Sequence, residues 1–482
     1  MNRAMVLRSV LVMLSFEAGA LCIPFAAALA LGERREAGAF LCAIAISLAP
    51  LALLPFARPA STKIHAREGY AIAALGWTAI CLAGAAPFWI CGTAASFIDA
   101  IFESVSGFTA TCATVIGNVE SLPRSILVWR TLIQWLGGMG VVLFLLIASP
   151  FGSGQPHVLA AAELSGLDNE KAAPKAGSAA LALYSVYAAL TALHALYLLL
   201  CGVPLADALS VAFATISTGG YSLKNAGLAA YGSQLALWGS WVFMFVAGLD
   251  IGAIYTAIAR RRPKALLSEQ TLWYAGSIAL SSAAVAFVIA PGMGSAGRAA
   301  REAAFASVSV ATTTGYMMDA YAKWPLAAKS VLAILMFAGA CAGSTCGGIK
   351  TVRLALLFKE ARRCMRGLLS PKRVERIRFN GVPVDEAAMS SAMNYFALYC
   401  AFLAASFAIL SFDGLGASTT ASAALACLGN AGPGLSSIGS DGVYSSFSPL
   451  SKAVLAADML LGRLEIFPAM ALFSRETWRK GF

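Results

Sequence analysis

Long runs of apolar residues recur from one end of the chain to the other. Because a helix needs about 20 predominantly apolar residues to cross a bilayer, each run predicts a membrane-spanning helix. The segments between the runs are too short to form a separate cytosolic domain. The pattern predicts an all-α membrane protein with about ten transmembrane helices, near residues 5–31, 37–57, 70–92, 127–149, 179–202, 235–259, 272–291, 328–349, 391–412 and 449–474.

Composition supports this fold class. The 482 residues are 59% hydrophobic and 12% charged, whereas soluble domains have roughly 45–50% apolar and about 25% charged residues. A soluble fold is therefore excluded. The eleven cysteines and three histidines show neither CxxC pairs nor the spacing of metal ligands, so we expect no disulfide framework, zinc site or covalent cofactor.

The net charge of +11 reflects basic residues at the ends of apolar runs, not one basic face for nucleic acid. By the positive-inside rule these ends are cytoplasmic, which places both termini inside. Arg34 and Arg35, on the opposite side, depart from the pattern. The first run follows two arginines as a signal peptide would, but it is long, so we expect a retained helix.

Four of the gaps between spans share one pattern, in which a short helical segment precedes a strip rich in Thr, Gly or Asn. These gaps cover 98–118, 205–227, 297–321 and 416–439, at intervals of roughly 100 residues, as in an internal repeat. We expect four repeats of span, pore helix, filter strip and span after two extra N-terminal helices. The predicted divisions are 1–60 for the extra helices, then 67–150, 175–264, 270–360 and 388–482.

A half-helix followed by extended chain is tolerated within a membrane only where it lines a water-filled cavity. Four such segments around one axis would bring backbone carbonyls together, as in a selectivity filter that replaces the hydration shell of an ion. Outer loops that merely link helices are the alternative, which four matching positions disfavour. Gly219, Gly315 and Gly432 are expected at equivalent places, where a side chain would obstruct the backbone.

Several segments resemble the Trk/Ktr/HKT superfamily of cation transporters, and most closely the bacterial Trk-type membrane subunit. Their order and spacing extend the resemblance over nearly the whole chain. The segments are REGYAIAALGW at 67–77, WRTLIQWLGGMG at 129–140, ISTGGYS at 216–222, TTTGYMMDAYAKWP at 312–325, CAGSTCGGIK at 341–350, GNAGPGL at 429–435 and MLLGRLEIFP at 459–468.

The resemblance implies K⁺ uptake across the bacterial cytoplasmic membrane by a homodimer in which each protomer has its own pore. It also implies a separate cytosolic nucleotide-binding regulatory subunit, and it leaves coupling to H⁺ or Na⁺ open. The basic loop from Lys359 to Arg378 could dock that subunit or contact anionic lipid. The implied K⁺-binding carbonyls are those of Ala110, Thr111, Cys112, Ser217, Thr218, Gly219, Thr313, Thr314, Gly315, Asn430, Ala431 and Gly432.

The first filter strip departs from the family pattern. Members usually read TTTGAT, and this chain reads TATCAT, so Cys112 stands where a filter glycine is expected. Left-handed backbone angles cost a non-glycine residue roughly 1–2 kcal/mol, which predicts that the first strip turns differently. Plant members with serine at this position favour Na⁺. A Na⁺-permeable or non-selective transporter is therefore the alternative to K⁺ uptake.

The resemblance also implies a gate beneath the filter. The glycines of CAGSTCGGIK should break the eighth span, and the implied intramembrane loop includes Gly343, Ser344, Thr345, Gly347, Gly348 and Lys350. Arg463 would project into the pore and oppose cation passage. The alternatives are a Lys350 that reaches the membrane surface and an Arg463 that pairs with Glu465 or Asp458. Asp250 and Arg130 are further charges in apolar runs, and Asp250 receives no role.

Two other classes of function are weaker. A secondary transporter with a site at broken helices would have inverted halves, whereas these four repeats run in the same direction. An enzyme is not expected, because no Ser/His/Asp set or helix-spaced ligand pair is evident. GMGSAG at 292–297 fits a dinucleotide pattern, but it follows an apolar span and opens no βαβ unit.

Overall fold

A computed structural model describes residues 1–57, 66–140, 176–316, 323–370, 375–435 and 444–478. The predicted end of the fourth span, at 141–149, and part of the basic loop, at 371–374, lie outside these ranges. Within them, six helices are long and apolar enough to cross a membrane: Arg3–Leu31, Arg34–Phe56, Arg67–Ile90, Ala180–Leu200, Glu269–Met293 and Glu386–Asp413.

The first half of the chain contributes ten α-helices to the described structure: α1 Arg3–Leu31, α2 Arg34–Leu48, α3 Ala66–Gly84, α4 Ala86–Ile90, α5 Phe97–Phe108, α6 Arg124–Gly138, α7 Ala176–Leu200, α8 Leu205–Ile216, α9 Gln234–Ala247 and α10 Ile251–Ala259. Short 3₁₀ helices lie at Ala49–Phe56, Val119–Ser121, Gly227–Tyr231 and Pro263–Leu267.

The second half adds α11 Glu269–Met293, α12 Ala296–Ala311, α13 Leu326–Ala338, α14 Thr351–Leu369, α15 Glu386–Leu410, α16 Ala417–Leu428, α17 Pro449–Arg463, α18 Phe467–Phe473 and α19 Arg475–Trp478. A 3₁₀ turn follows α15 at Ser411–Asp413. A hairpin of β1 Arg378–Phe379 and β2 Val382–Pro383 turns at Asn380 and Gly381, both of positive φ, as the Asn-Gly pair favours.

Several of the ten predicted spans are not single continuous helices among the described residues. The span expected at 235–259 is a pair of helices, α9 and α10, bent by 96°. Asp250 causes the new start, since its side chain accepts a hydrogen bond from the backbone N of Gly252 and caps α10. The eighth span ends at Ala338 and the last is broken after Arg463. Apolar content alone therefore overstated the number of continuous spans.

Four short helices, α5, α8, α12 and α16, point into the centre of the fold. Each begins after a segment that cannot continue a preceding helix. Ser96, for example, caps α5 by accepting a hydrogen bond from the N of Asp99, and Pro204 precedes α8. Each of the four helices ends just before one of the predicted filter strips. They are thus too short to span, as the sequence indicated.

The four short helices pack in a closed ring. Each contacts the helix that leaves the preceding strip: α8 packs against α6, α12 against α9, and α16 against α13. The ring closes where α5 packs against α17, the helix that follows the fourth strip. Helix α1 lies outside, against α2, α3 and α6. This arrangement brings the ends of the four short helices to one place.

Candidate functional site

The four strips repeat the same backbone conformation. In each, one residue has a φ of 50–56° and the residue two places later has a φ of 70–79°. The first positions are Ala110, Thr218, Thr313 and Asn430, and the second positions are Cys112, Gly220, Gly315 and Gly432. Left-handed angles at eight corresponding positions, five of them not glycine, are uncommon in helical proteins. The strips therefore form four copies of one structural element.

This pattern corrects the register of the second strip. Gly220, and not Gly219, corresponds to Gly315 and Gly432. The matching triplet is Thr218, Gly219 and Gly220, and Ser217 instead caps the end of α8. Glycine at position 219 is required by a different contact. A Cβ there would lie 2.5 Å from the side-chain amide carbon of Gln134. Two adjacent glycines serve different purposes, which the sequence could not separate.

Neighbouring strips are in direct backbone contact. A Cβ on Gly220 would lie 1.6 Å from the carbonyl oxygen of Thr314, in the third strip. A Cβ on Gly432 would lie 2.1 Å from the carbonyl oxygen of Thr111, in the first. Real Cβ atoms do not approach backbone atoms so closely, so glycine is required at both positions. The second strip therefore packs directly against the third, and the fourth against the first.

The first strip does not turn differently, contrary to the expectation from its cysteine. Cys112 has a φ of 70°, close to the 72° of Gly220. Its Sγ lies 3.3 Å from where a Cβ of Gly220 would be, so the side chain faces the second strip. Surrounding contacts therefore hold a non-glycine residue in the conformation that glycine adopts in the other three strips.

Two carbonyls of the matching triplets accept hydrogen bonds from the scaffold. Gln134 Nε2 donates to the carbonyl oxygen of Gly219 at 2.8 Å, and the Tyr444 hydroxyl donates to that of Gly432 at 2.6 Å. A carbonyl oxygen has two lone pairs, so each of these has one already occupied. The amide of Asn430 donates to Thr111 Oγ1 at 2.9 Å and links the fourth strip to the first.

An irregular loop between α13 and α14, residues 339–350, lies against the strips. Thr345 donates to the carbonyl of Ile216 and accepts from Thr218 Oγ1, both at 3.2 Å. The backbone N of Gly347 donates to Thr313 Oγ1 at 3.0 Å. A Cβ on Gly347 would lie 2.2 Å from the carbonyl oxygen of Gly429, which explains this glycine. The loop is thus joined to three of the four repeats.

The two basic residues of the predicted gate are inside the protein. Lys350 is 6% exposed and its Nζ donates to the carbonyl of Cys346, so it does not reach the surface. Arg463 donates to the carbonyl of Thr345 at 2.7 Å and to those of Gly137 and Gly138 at 2.5 Å. Both side chains line a cavity of about 60 Å³ with Gly343, Ser344, Gly347 and Gly348.

The acidic residues named as alternative partners of Arg463 have other contacts. Glu465 pairs with Arg353 at 2.6 Å, and Asp458 accepts a hydrogen bond from Ser406 at 2.8 Å. Asp250 lies beside the loop, where a Cβ on Gly343 would approach its Oδ1 to 2.6 Å. The N of Ile251 also donates to the Gly343 carbonyl at 3.1 Å. The bend at Asp250 therefore supports the loop from one side.

The structure adds one charged residue that sequence reasoning missed. Glu103, on α5, is fully buried and pairs with Arg130 at 3.4 Å. Arg130 was an evident oddity in an apolar run, and a search for an acidic residue in a neighbouring short helix would have found its partner. A charge inside a membrane protein is costly unless it is paired, so Arg130 in an apolar run implies an acidic residue close to it.

Comparisons with known proteins agree over nearly the full length. The TrkH family, described as cation transport proteins, matches residues 37–480. A Halomonas elongata protein named Trk system potassium uptake protein TrkH is 32% identical over 454 residues, 92% of each chain. A Salmonella typhimurium protein of the same name is 31% identical over 423 residues, 87% of each chain.

A solved structure leads to the same family. The crystal structure of the potassium transporter TrkH from Vibrio parahaemolyticus superimposes with a TM-score of 0.90 and 28% identity. The match covers 99% of this chain and 100% of that one. Together with the family match and relatives above 30% identity, it shows that this chain belongs to the TrkH family of cation transport proteins, which are transporters and not enzymes.

Proposed function

We propose that this chain takes up K⁺ across the bacterial cytoplasmic membrane through a filter of backbone carbonyls. The observation that carries the proposal is the fourfold repetition of left-handed backbone angles in strips that touch one another. Such a ring can replace the hydration shell of a monovalent cation. The relatives are named as potassium uptake proteins, which favours K⁺ as the ion.

The proposed ligands are carbonyl oxygens from the four matching triplets. These are Ala110 to Cys112, Thr218 to Gly220, Thr313 to Gly315 and Asn430 to Gly432. No carboxylate is needed, because carbonyl dipoles suffice to coordinate a monovalent cation once the filter fixes them in place. The membrane potential drives entry, at about 2.3 kcal/mol per unit charge per 100 mV.

Permeation of Na⁺ as well as K⁺ is the second candidate, and Cys112 favours it. The Cys112 side chain lies beside Gly220 of the second strip, and the other three strips have glycine at the position that corresponds to Cys112. A ring held open by one side chain could accept ions of different size. Selectivity is therefore the property in which this chain can differ from relatives with four filter glycines.

The loop at 339–350 is the proposed gate, and its contacts with the strips support a role in blocking the pore. The loop lies against the strips through Thr345 and Gly347, and Arg463 holds it to the end of α6. The positive charge of Arg463 would also repel a cation that leaves the filter. Opening would require the Arg463 hydrogen bonds to break.

Assembly and location follow from the family relationship. We propose a homodimer with one pore in each protomer, both termini in the cytoplasm, and control by a cytosolic nucleotide-binding subunit. Exposed basic and apolar residues of α14, such as Met365, Leu368 and Leu369, offer that subunit a docking surface. Binding there could pull on α14 and release the loop that precedes it.

The direct test is ⁸⁶Rb⁺ flux into proteoliposomes that contain the purified chain, with K⁺ and Na⁺ as competitors. Competition by K⁺ alone would support a K⁺ pathway that tolerates Cys112. Equal competition by Na⁺, abolished in Cys112→Gly, would support the second candidate. No cation flux, with or without a candidate regulatory subunit, would refute the transport proposal.

A further inference from the structure

The first filter strip differs from the others in what lies behind it. Glu103 occurs six residues before Thr109, the residue that caps α5. The residues six places before the caps of α8, α12 and α16 are Val211, Ala306 and Ala423. All four positions are buried. Only the repeat that lacks the glycine therefore has a carboxylate at this position.

Both oxygens of Glu103 hold parts of the filter. Its Oε1 accepts from the N of Val115 at 2.8 Å and from the hydroxyl of Thr114, just after the first strip. Its Oε2 accepts from the Tyr221 hydroxyl at 3.1 Å and from Arg130 Nη2 at 3.4 Å. Tyr221 directly follows Gly220, so one carboxylate connects the first strip with the second.

Helix α6 completes this support with two side chains on one face. Arg130 lies 4.1 Å from the centre of the Tyr221 ring and donates to Thr114 Oγ1 at 3.2 Å. One turn later, Gln134 donates to the carbonyl of Gly219 and accepts from the N of Tyr221 at 3.1 Å. Residues four apart lie on the same side of a helix, so α6 holds both strips at once.

The contact between Gln134 and Gly219 also explains how a side chain fits at Cys112. At the junctions of strips two with three and four with one, a carbonyl oxygen fills the space beside the glycine. By the same geometry, the Gly219 carbonyl would face Cys112. That carbonyl instead accepts a hydrogen bond from Gln134. Gln134 therefore fixes the direction of the carbonyl that corresponds to the one beside each of those glycines.

We propose that Glu103, Arg130, Tyr221 and Gln134 are positioning residues that set the cation selectivity of the junction between the first and second strips. This inference rests on the proposed filter function and adds which residues govern its selectivity. The other three strips have glycine at the second left-handed position, whereas the first strip has Cys112 there and a buried carboxylate behind it. Loss of those bonds should change which ions pass, and not only how many protein molecules fold.

The test compares ⁸⁶Rb⁺ and ²²Na⁺ flux in proteoliposomes for Glu103→Gln and Tyr221→Phe. We expect the Rb⁺/Na⁺ ratio to change at least roughly tenfold in each, since each variant weakens a hydrogen bond to a charged group. Asp99→Asn is the matched control, because Asp99 lies one turn earlier on α5 and its carboxylate pairs with Lys452 at 2.7 Å instead of bonding Tyr221 or Thr114. Its ratio should equal that of the parent chain.

Measuring the Rb⁺/Na⁺ flux ratio of Glu103→Gln in a chain that also carries Cys112→Gly distinguishes a positioning role from a general loss of stability. Glycine adopts a positive φ without support, so Cys112→Gly should restore most of the ratio in Glu103→Gln. Parent-like ratios in both single variants, with only the total flux reduced, would overturn the inference and leave the proposed transport intact. If Glu103→Gln does not fold, Tyr221→Phe alone decides. Absence of Rb⁺ flux in the parent would refute both proposals.

Discussion

Two arginines each pair with a glutamate and lie against a tyrosine ring, one behind the filter strips and one beside the loop. Arg130 pairs with Glu103 and lies 4.1 Å from the Tyr221 ring, behind the filter. Arg353 pairs with Glu465 and lies 4.0 Å from the Tyr395 ring, at the start of α14, which follows the loop. The difference is burial, since Arg130 is 2% exposed and Arg353 16% exposed.

That difference separates the part of the pore that is fixed from the part that can move. A fully buried charge that loses its partner has no water to replace it, so the filter side is held permanently. A pair near solvent exchanges one hydrogen-bonding partner for another at small cost. The filter scaffold is therefore suited to remain fixed and the loop to move, although both use an arginine, a glutamate and a tyrosine.

The strongest test of this contrast is Arg130→Gln compared with Arg353→Gln. Arg130→Gln leaves Glu103 buried without a cation and should lower the free energy of unfolding by about 3–5 kcal/mol. Arg353→Gln should lower it by about 1 kcal/mol or less. Thermal loss of the monodisperse peak of the detergent-solubilised protein measures both. Equal losses would mean that burial does not distinguish the two sites.

The next largest effect concerns the hydrogen bonds by which Arg463 holds the loop at 339–350. Arg463→Gln removes charge-assisted hydrogen bonds to the carbonyls of Thr345, Gly137 and Gly138. We expect ⁸⁶Rb⁺ flux without any regulatory subunit to rise at least roughly tenfold, because the net loss of even one hydrogen bond to a charged group costs about 1.5–3 kcal/mol. Arg463→Lys distinguishes repulsion of the cation by the positive charge from the hydrogen bonds that hold the loop, since lysine keeps the charge but cannot bond all three carbonyls. A flux unchanged in both variants would contradict a gate held by Arg463.

A smaller change in the same loop tests its neutral contacts. Thr345→Val removes the hydroxyl that donates to Ile216 and accepts from Thr218, and should raise the unstimulated flux roughly fivefold at about 1 kcal/mol. Ser344→Ala is the control, because Ser344 bonds only within the loop, to the Cys341 carbonyl. If both variants behave alike, loop stability in general and not its contact with the filter controls flux.

Local sequence pattern predicted the strips but not the contacts that support them. The Thr- and Gly-rich strips follow short helices at regular intervals, whereas the role of the loop was predicted from the resemblance to a family. The contact of Gln134 with Gly219 joins residues 85 apart, and that of Glu103 with Tyr221 joins residues 118 apart. No local pattern encodes such pairs. The register of the second strip was wrong for the same reason, because Gln134 accounts for its extra glycine.

The continuity of the predicted spans depends on a different physical property. Apolar content measures compatibility with lipid, whereas helix continuity depends on hydrogen bonds and caps. Asp250 signalled the bend at α10, because a charged residue that can cap a helix stood in an apolar run. Gly339, with a φ of 67°, ends α13 in a similar way. Charges and glycines within apolar runs are thus better guides to broken spans than hydropathy.

The smallest expected effect is on stability in Cys112→Gly. Left-handed angles cost a non-glycine residue roughly 1–2 kcal/mol, while glycine loses roughly 0.5–1 kcal/mol more than alanine in conformational entropy on folding. These terms nearly cancel, so the free energy of unfolding should change by about 1 kcal/mol or less. Gly220→Ala supplies the contrast, since its Cβ would lie 1.6 Å from the Thr314 carbonyl oxygen and should prevent correct folding. A large stabilisation in Cys112→Gly, measured by the same thermal assay, would mean that the first strip is strained and that its buried scaffold fails to relieve the cysteine.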